Sequence, residues 1–172
     1  MTALPEHPVS HRLALFALCG DLVVAIDVMA IREIRAAEDV ALRPARHGGL
    51  ILELAREHGG GLVPGWDLGE LLGIEAAPGA WVIVELPGSG RRVGLGLGRC
   101  VTVQPLPVCR SIPRGIFASR SRAIAAGFST AAIPELSAHV SGVVLDLSGV
   151  LGDGELAALA RTEEGREAAL ET

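Results

Sequence analysis

Residues 13–27 read LALFALCGDLVVAID, in which two apolar runs stand on either side of Gly20-Asp21. Short apolar runs that are separated by a pair of this kind are typical of a β-hairpin. The sequence therefore predicts one strand over Arg12–Cys19 and a second strand over Leu22–Val28. This hairpin is the first indication of an all-β chain.

Similar short runs continue toward the C-terminus, separated by glycine and proline. Leu62–Leu68 contains Pro64, which has no N–H for an internal ladder, so we predict an edge strand there. Ala80–Leu86 and Arg91–Val103 flank Pro87-Gly88-Ser89-Gly90, whose composition is that of a hairpin turn. Six or more short strands with Gly/Pro turns favour an all-β fold built from small barrels.

Five further segments complete the predicted order of elements. Met29–Arg35 is interpreted as a short strand or a turn, and Leu50–His58 as a short helix or a strand, which periodicity does not distinguish. Ile124–Phe128 and Ser141–Leu147 are predicted strands. A helix is predicted over residues 154–164, with Asp153 as its capping residue.

The composition is that of a folded protein. Of 172 residues, 49% are hydrophobic and 20% are charged, which excludes a disordered chain and suggests one domain or two closely packed half-domains. No apolar run approaches the roughly 18–20 residues of a membrane span. The three cysteines, Cys19, Cys100 and Cys109, are odd in number and far apart, which favours free thiols in a reducing compartment. We therefore expect a cytoplasmic protein.

Charge is distributed unevenly along the chain. Between Glu85 and Glu135 there are seven Arg and no acidic residue, although the whole protein carries a net charge of −5. This basic stretch either attracts an acidic partner or is an ordinary solvated surface. Nucleic acid is a poor candidate, because the protein is acidic and only Phe117 and Phe128 offer stacking platforms in this region.

The glycine-rich run at residues 92–98, RVGLGLG, is superficially like a dinucleotide-binding loop. Such a loop requires a helix after it and an acidic residue about 20 positions further on, whereas here a strand-like segment follows and the next acid is Glu135. Glycines that alternate with Val and Leu are better explained by close packing of a curved strand. We predict no cofactor site.

No arrangement of residues indicates catalysis or metal binding. The five histidines show no paired ligand spacing, no two cysteines form C-x-x-C, and no G-x-S-x-G elbow occurs. A triad such as Ser141, His139 and Asp146 would have to form in space, and nothing in the sequence favours it. Asp27, Asp67 and Asp146 lie at predicted strand ends, where capping is the simpler role. The sequence therefore predicts a protein that is not an enzyme.

An ordered set of short blocks over roughly residues 12–160 resembles the CheW-like coupling domain of bacterial chemosensory systems. One block, 62-LVPGWDLGELLG-73, is similar to the V-V-P-V-x-D-L segment of that family, and its Asp-Leu turn is repeated in 142-GVVLDLSGVL-151. The remaining blocks are 13-LALFALCGDLVVAID-27, 30-AIREIR-35, 81-WVIVEL-86 and 92-RVGLGLGRCVTVQPLP-107. The resemblance rests on the order and spacing of these blocks.

The resemblance implies two small SH3-like β-barrels that pack on a shared apolar seam. It divides the chain into a flexible leader at 1–11, a CheW-like domain of two interleaved barrels at 12–152 and an acidic helical tail at 153–172. It also implies an adaptor that binds the regulatory domain of a CheA-type histidine kinase, the cytoplasmic tip of a chemoreceptor and other CheW-like domains. Direct insertion into a membrane is not expected.

The resemblance assigns six residues to partner binding: Ile31, Glu33, Ile34, Gly60, Val82 and Val84. For the two isoleucines, burial within a barrel is an equally good interpretation. For the two valines, which alternate on one strand face, burial is the better interpretation. For Gly60, turn geometry is the better interpretation.

The chain also departs from the family at recognition positions. Residues 57–60 read EHGG where relatives carry N-L-R-G, Gly69 replaces the Arg that usually follows Asp-Leu, and Leu97-Gly98 replaces Val-Asp. One alternative is therefore a divergent CheW-like protein that binds the kinase weakly and recruits a specialised partner in a motility or developmental pathway. A second alternative is a β-barrel that binds or hydrolyses a small molecule.

Overall fold

A computed structural model describes residues 12–54, 61–112, 121–138 and 141–170. In this part of the chain there are twelve strands and two α-helices. The strands are β1 (Leu13–Cys19), β2 (Leu22–Asp27), β3 (Ile31–Ala36), β4 (Val40–Pro44), β5 (Leu50–Leu54), β6 (Gly61–Asp67), β7 (Ala80–Glu85), β8 (Arg92–Leu97), β9 (Arg99–Pro105), β10 (Cys109–Arg110), β11 (Ile124–Ser129) and β12 (Ser141–Leu145). The helices are α1 (Leu68–Leu72) and α2 (Asp153–Leu170). The predicted leader at 1–11 and the candidate site residue Gly60 lie outside the described residues.

The strands form two six-stranded sheets. Sheet A has the order β10-β11-β12-β2-β1-β9, and sheet B has the order β3-β7-β8-β6-β5-β4. Each sheet curls like half of a barrel, so the predicted all-β fold class is confirmed. Among the described strands, β1 and β2 belong to sheet A, β3–β8 form sheet B, and β9–β12 complete sheet A.

The two sheets have the same topology. β3 to β8 of sheet B correspond in order to β9, β10, β11, β12, β1 and β2 of sheet A, with the same pairing directions throughout. Each sheet has one parallel pair, β6 with β8 and β12 with β2, and its other pairs are antiparallel. Sheet A is thus a circular permutation of sheet B, in which the N-terminal hairpin supplies the last two strands.

The apolar core consists of three clusters of buried side chains. Each sheet encloses its own interior, around Phe16 and Phe128 in sheet A and around Leu52 and Trp81 in sheet B. A larger cluster, here called the seam, joins side chains from both sheets, such as Leu15, Ile26, Val84 and Leu95. Burial of apolar surface at about 25 cal/mol per Å² makes the seam the main stabilising contact between the sheets.

The predicted hairpins are confirmed. β1 and β2 pair antiparallel across Gly20, whose φ of 58° is the left-handed conformation that favours glycine. β7 and β8 pair antiparallel across the turn at residues 86–91. The strands predicted at Ile124–Phe128 and Ser141–Leu147 are confirmed as β11 and β12.

Two strand predictions were wrong. β6, which contains Pro64, is an internal strand between β5 and β8; its pairing with β8 begins only at Gly65, so Pro64 lies outside that ladder. The strand predicted over Arg91–Val103 is two strands, β8 in sheet B and β9 in sheet A. They separate at Gly98, where the chain passes from one sheet to the other and Gly98 N donates to Leu18 O at 2.8 Å.

Three open or partial predictions are also decided. Residues 50–54 of the ambiguous segment form β5, and Met29–Arg35 contains a 3-10 turn followed by most of β3. α2 begins at Asp153 and continues beyond the predicted end at 164, through Gly165 to Leu170. Its first turns belong to the seam, because Ala158 and Leu159 are buried there.

The glycines of β8 serve close packing, as the sequence predicts. A Cβ on Gly94 would lie 2.5 Å from Leu52 Cδ2, and one on Gly96 would lie 3.0 Å from the Trp81 ring. A Cβ on Gly65 of β6 would also collide with Leu52. The interior of sheet B therefore closes against bare backbone, and these glycines have a structural role.

Candidate partner-binding surface

The candidate surface begins at the turn that links sheet A to sheet B. Asp27 ends β2, and its Oδ1 accepts a hydrogen bond from Met29 N at 2.9 Å, which caps the 3-10 turn Val28–Ala30. The side chain of Met29 is 80% exposed on this turn. A large, flexible apolar side chain is thus presented to solvent where the two sheets meet.

Arg32 fixes this turn to the neighbouring strand. Its Nε donates to Glu85 Oε2 at 2.8 Å, and its Nη1 donates to Met29 O at 3.4 Å. The hydrogen bond and the opposite charge raise the pKa of Arg32 and lower the pKa of Glu85 from their ordinary values. Both side chains are partly exposed, so the pair orients the surface more than it stabilises the fold.

Ile31 and Ile34 lie on the same face of β3, although a regular strand would place them on opposite faces. The register with β7 shifts between Ile31 and Glu33, so that Ile31 opposes Val84 and Ile34 opposes Val82. This β-bulge turns both isoleucines toward the seam side of sheet B. Ile31 packs against the seam, whereas Ile34 is 45% exposed.

Glu33 lies on the opposite face of β3. It is half-buried, and its Oε1 accepts a hydrogen bond from Arg35 Nε in the same strand. Arg35 in turn lies opposite Trp81, which belongs to the interior of sheet B. Glu33 and Ile34 therefore do not share a face.

Val82 and Val84 are not available to a partner. Both are 0% exposed and belong to the seam. The assignment of these two residues to partner binding is therefore corrected. β7 lies between β3 and β8, so both of its edges are paired, and the seam covers the face of β7 that carries the two valines. The burial interpretation of these two residues is confirmed.

The basic stretch does not form one continuous element. Arg92 begins β8 in sheet B, whereas Arg99 and Arg110 lie in β9 and β10 of sheet A. Arg114 and Arg120 are outside the described residues. The arginines of this stretch that lie in strands are therefore divided between the two sheets, whereas Arg91 precedes β8 and Arg122 lies in a 3-10 turn.

The three cysteines are free thiols. Cys19 is 1% exposed within the seam, and burial, with a contribution from the charge of Asp67, raises the pKa of its thiol to about 11. Cys100 and Cys109 are half-buried, and burial raises the pKa of both thiols. These thiols are protonated at neutral pH and are weak nucleophiles.

A second feature, which sequence reasoning did not find, is a cavity of about 300 Å³ at one end of sheet A. Asp27 and Asp146 both line it, together with apolar residues such as Ala14 and Ala25. The small-molecule alternative requires a ligand-sized pocket, and this cavity is large enough. Its sequence signal is weak: alanines in two strands and an Asp at each of two strand ends.

Other site types lack support among residues 12–54, 61–112, 121–138 and 141–170. No group of three His, Cys, Asp or Glu side chains is placed to hold a metal ion there. No helix in these ranges is long and apolar enough to cross a membrane. His139, a member of the hypothetical triad, lies outside the described residues, and Asp146 Oδ1 is occupied by Ser148 N at 2.9 Å.

No protein-family model and no curated protein matches this chain. Among solved structures, the fold is similar to the crystal structure of the scaffolding protein TtCheW from Thermoanaerobacter tengcongensis, with a TM-score of 0.64. The match covers 90% of this chain and 96% of that chain at 16% sequence identity. This chain therefore has a CheW-like fold, as the ordered sequence blocks imply.

Proposed function

We propose that this protein is a non-enzymatic cytoplasmic adaptor that couples the tip of a chemoreceptor to the regulatory domain of a CheA-type histidine kinase. The observation that carries the proposal is the CheW-like fold over 90% of the chain, similar to a scaffolding protein. The ordered sequence blocks support the same assignment. A rigid pair of barrels suits this role because it presents fixed surfaces to two partners at once.

The surface that we assign to partner binding is the β3 surface, defined by Met29, Ile34 and the Arg32–Glu85 pair. Its two apolar side chains are 80% and 45% exposed. Apolar groups surrounded by charged ones are what a partner helix or strand covers, and the ion pair at the rim supplies orientation. Ile31 supports this surface from below through its contact with the seam.

The test is direct binding between the purified protein and kinase regulatory domains or receptor tips from the same genome, measured by isothermal titration calorimetry. We expect Ile34→Asp to weaken binding of at least one of these partners tenfold or more, because it places a charge in an apolar contact. Leu42→Asp is the matched control. Leu42 is also 45% exposed, but it lies on β4 at the opposite edge of sheet B.

We expect the Leu42 variant to bind within about twofold of the unaltered protein. Circular dichroism establishes that both variants are folded. The adaptor proposal fails if no chemosensory kinase or receptor fragment binds. The assignment of the β3 surface fails if both substitutions weaken binding equally.

A second candidate function is a divergent adaptor with a specialised partner and weak kinase binding. Gly69 favours it, because this position carries Arg in the family that the chain resembles. Gly69 is buried, and a Cβ there would lie 2.6 Å from Ile74 O, so the backbone at this point excludes any larger side chain. Affinity purification from the native cell decides between the two, since recovery of kinase and receptor as the main partners contradicts the divergent function.

A further inference from the structure

The cavity at the end of sheet A lies where several strands of that sheet begin or end. β1 begins at Leu13 and Ala14, β2 ends at Asp27, and Asp146 directly follows β12; all four residues line the cavity. Its volume of about 300 Å³ is at the lower end of the range for small-ligand sites. It adjoins the β3 surface, because Asp27 and Ala30 of the turn that carries Met29 also line it.

Apolar side chains that are only half-buried, among them Leu106 and Val144, form the accessible wall of the cavity. Ala14 and Ala25 belong to the interior cluster of sheet A and are 3% and 0% exposed. In the same cluster, Phe16 and Phe128 pack edge to face with ring centroids 5.4 Å apart and fill the interior. Ala14 and Ala25 therefore offer almost no surface to a ligand, and larger apolar side chains form the accessible wall.

The polar lining is mainly acidic. Asp27 and Asp146 each use Oδ1 to accept a backbone N–H, from Met29 and Ser148 respectively, at 2.9 Å. Among the residues that the structure describes, no cation forms an ion pair with either carboxylate. Arg12 also lines the cavity, but it is exposed. Two carboxylates beside an apolar wall complement a cation that carries a short hydrocarbon chain.

We propose that this cavity is a binding site for an alkylguanidinium or alkylammonium group. The hydrocarbon chain lies against the wall formed by Leu106 and Val144, and the cationic group donates hydrogen bonds to Asp27 and Asp146. The group belongs either to a free small molecule or to an Arg or Lys side chain of a partner. The proposal does not rest on the adaptor function.

The experiment is an NMR titration of the full chain with n-butylguanidinium, n-pentanol and the end-capped peptide Gly-Gly-Arg-Gly-Gly. We expect n-butylguanidinium to shift signals of the cavity residues in a saturable way, with a dissociation constant on the order of 1 mM. The uncharged n-pentanol should bind at least tenfold more weakly. Binding of n-butylguanidinium alone assigns the site to a free small molecule, whereas binding of the peptide as well assigns it to a side chain of a partner.

Four variants make the titration specific. Asp27→Asn and Asp146→Asn keep an acceptor oxygen for the capped N–H but remove the charge, and each should weaken binding tenfold or more. Asp67→Asn removes the corresponding carboxylate of sheet B, which does not line the cavity, and should leave binding unchanged. Ala125→Leu fills the cavity from an exposed position and should abolish binding. Equal binding of n-pentanol, or full binding by either cavity Asn variant, would overturn the proposal.

Discussion

Asp67 and Asp146 make the same contact at corresponding points of the two sheets. Asp67 Oδ1 accepts a hydrogen bond from Gly69 N at 2.8 Å, and Asp146 Oδ1 accepts one from Ser148 N at 2.9 Å. β6 ends at Asp67 and β12 ends one residue before Asp146, and each of these strands forms the parallel pair of its sheet. The Asp-Leu motif therefore follows the equivalent strand in each sheet, β6 in sheet B and β12 in sheet A.

These two caps give the first prediction. Asp67→Ala and Asp146→Ala should each lower the free energy of unfolding by about 1 kcal/mol, because an N–H at the start of a turn loses its acceptor. The corresponding Asn variants retain an acceptor oxygen and should lose much less. Urea denaturation followed by circular dichroism measures the differences. Equal losses for Ala and Asn at either position would show that the contact has no stabilising role.

Much of the fold was predictable because its hairpins are local. Gly20-Asp21 and residues 87–90 carry their turn chemistry in adjacent residues, and so does the Asp-Leu motif. The errors at Pro64 and Gly98 have another cause. Whether a strand is internal, or where the chain leaves one sheet for the other, depends on partners that are distant in sequence. Local composition does not contain that information.

The candidate site was less predictable for a related reason. Ile31 and Ile34 share a face only because a bulge shifts the register against β7, and neither residue type signals a bulge. Alternation correctly placed Val82 and Val84 on one face, but the seam that covers this face is contributed mainly by other segments. The exposure of Met29 follows from its place in the turn that Asp27 caps, which the sequence analysis did not predict.

The second prediction compares Ile31→Asp with Ile34→Asp. Ile31 packs against the seam, so a carboxylate there should lower the free energy of unfolding by about 3 kcal/mol or more. Ile34 is 45% exposed, and its substitution should cost less than about 1 kcal/mol. Denaturant unfolding of both variants provides the comparison. Similar losses would mean that the bulge does not separate the two environments.

The third prediction concerns pH. The pKa of Cys19 is about 11 in the folded protein against 9.0 for a free thiol, so the unfolded chain holds fewer protons between these values. The contribution of this thiol to the free energy of unfolding is fully present below pH 9 and is lost as the pH rises toward 11. At pH 10 this contribution is about 1.4 kcal/mol smaller than at low pH. Urea denaturation at pH 8 and pH 10 measures it.

Cys19→Ala is the control for this pH dependence. The variant is less stable at both pH values because it leaves a cavity in the seam, but its loss between pH 8 and pH 10 should be smaller than that of the unaltered protein. The remaining dependence comes from Cys100 and Cys109, whose pKa values are also raised by burial. An identical loss in the variant would exclude Cys19 as the titrating group.

The fourth prediction tests the close packing of sheet B. A Cβ on Gly94 would lie 2.5 Å from Leu52 Cδ2 and 3.4 Å from Ile83 Cδ1, so Gly94→Ala should lower the free energy of unfolding by about 1–3 kcal/mol. Leu52 is 0% exposed, which leaves its side chain little room to move. Leu52→Ala alone should cost about 2–5 kcal/mol through the space that it leaves.

The double variant Gly94→Ala with Leu52→Ala identifies the cause, because the new methyl group occupies part of the space left by the leucine. Its loss of stability should be at least about 1 kcal/mol smaller than the sum of the two single losses. Gly61→Ala is the matched control, since a Cβ at Gly61 meets no atom within 4 Å and should leave stability nearly unchanged. Strictly additive losses would mean that Gly94 is required for its backbone conformation and not for the contact with Leu52.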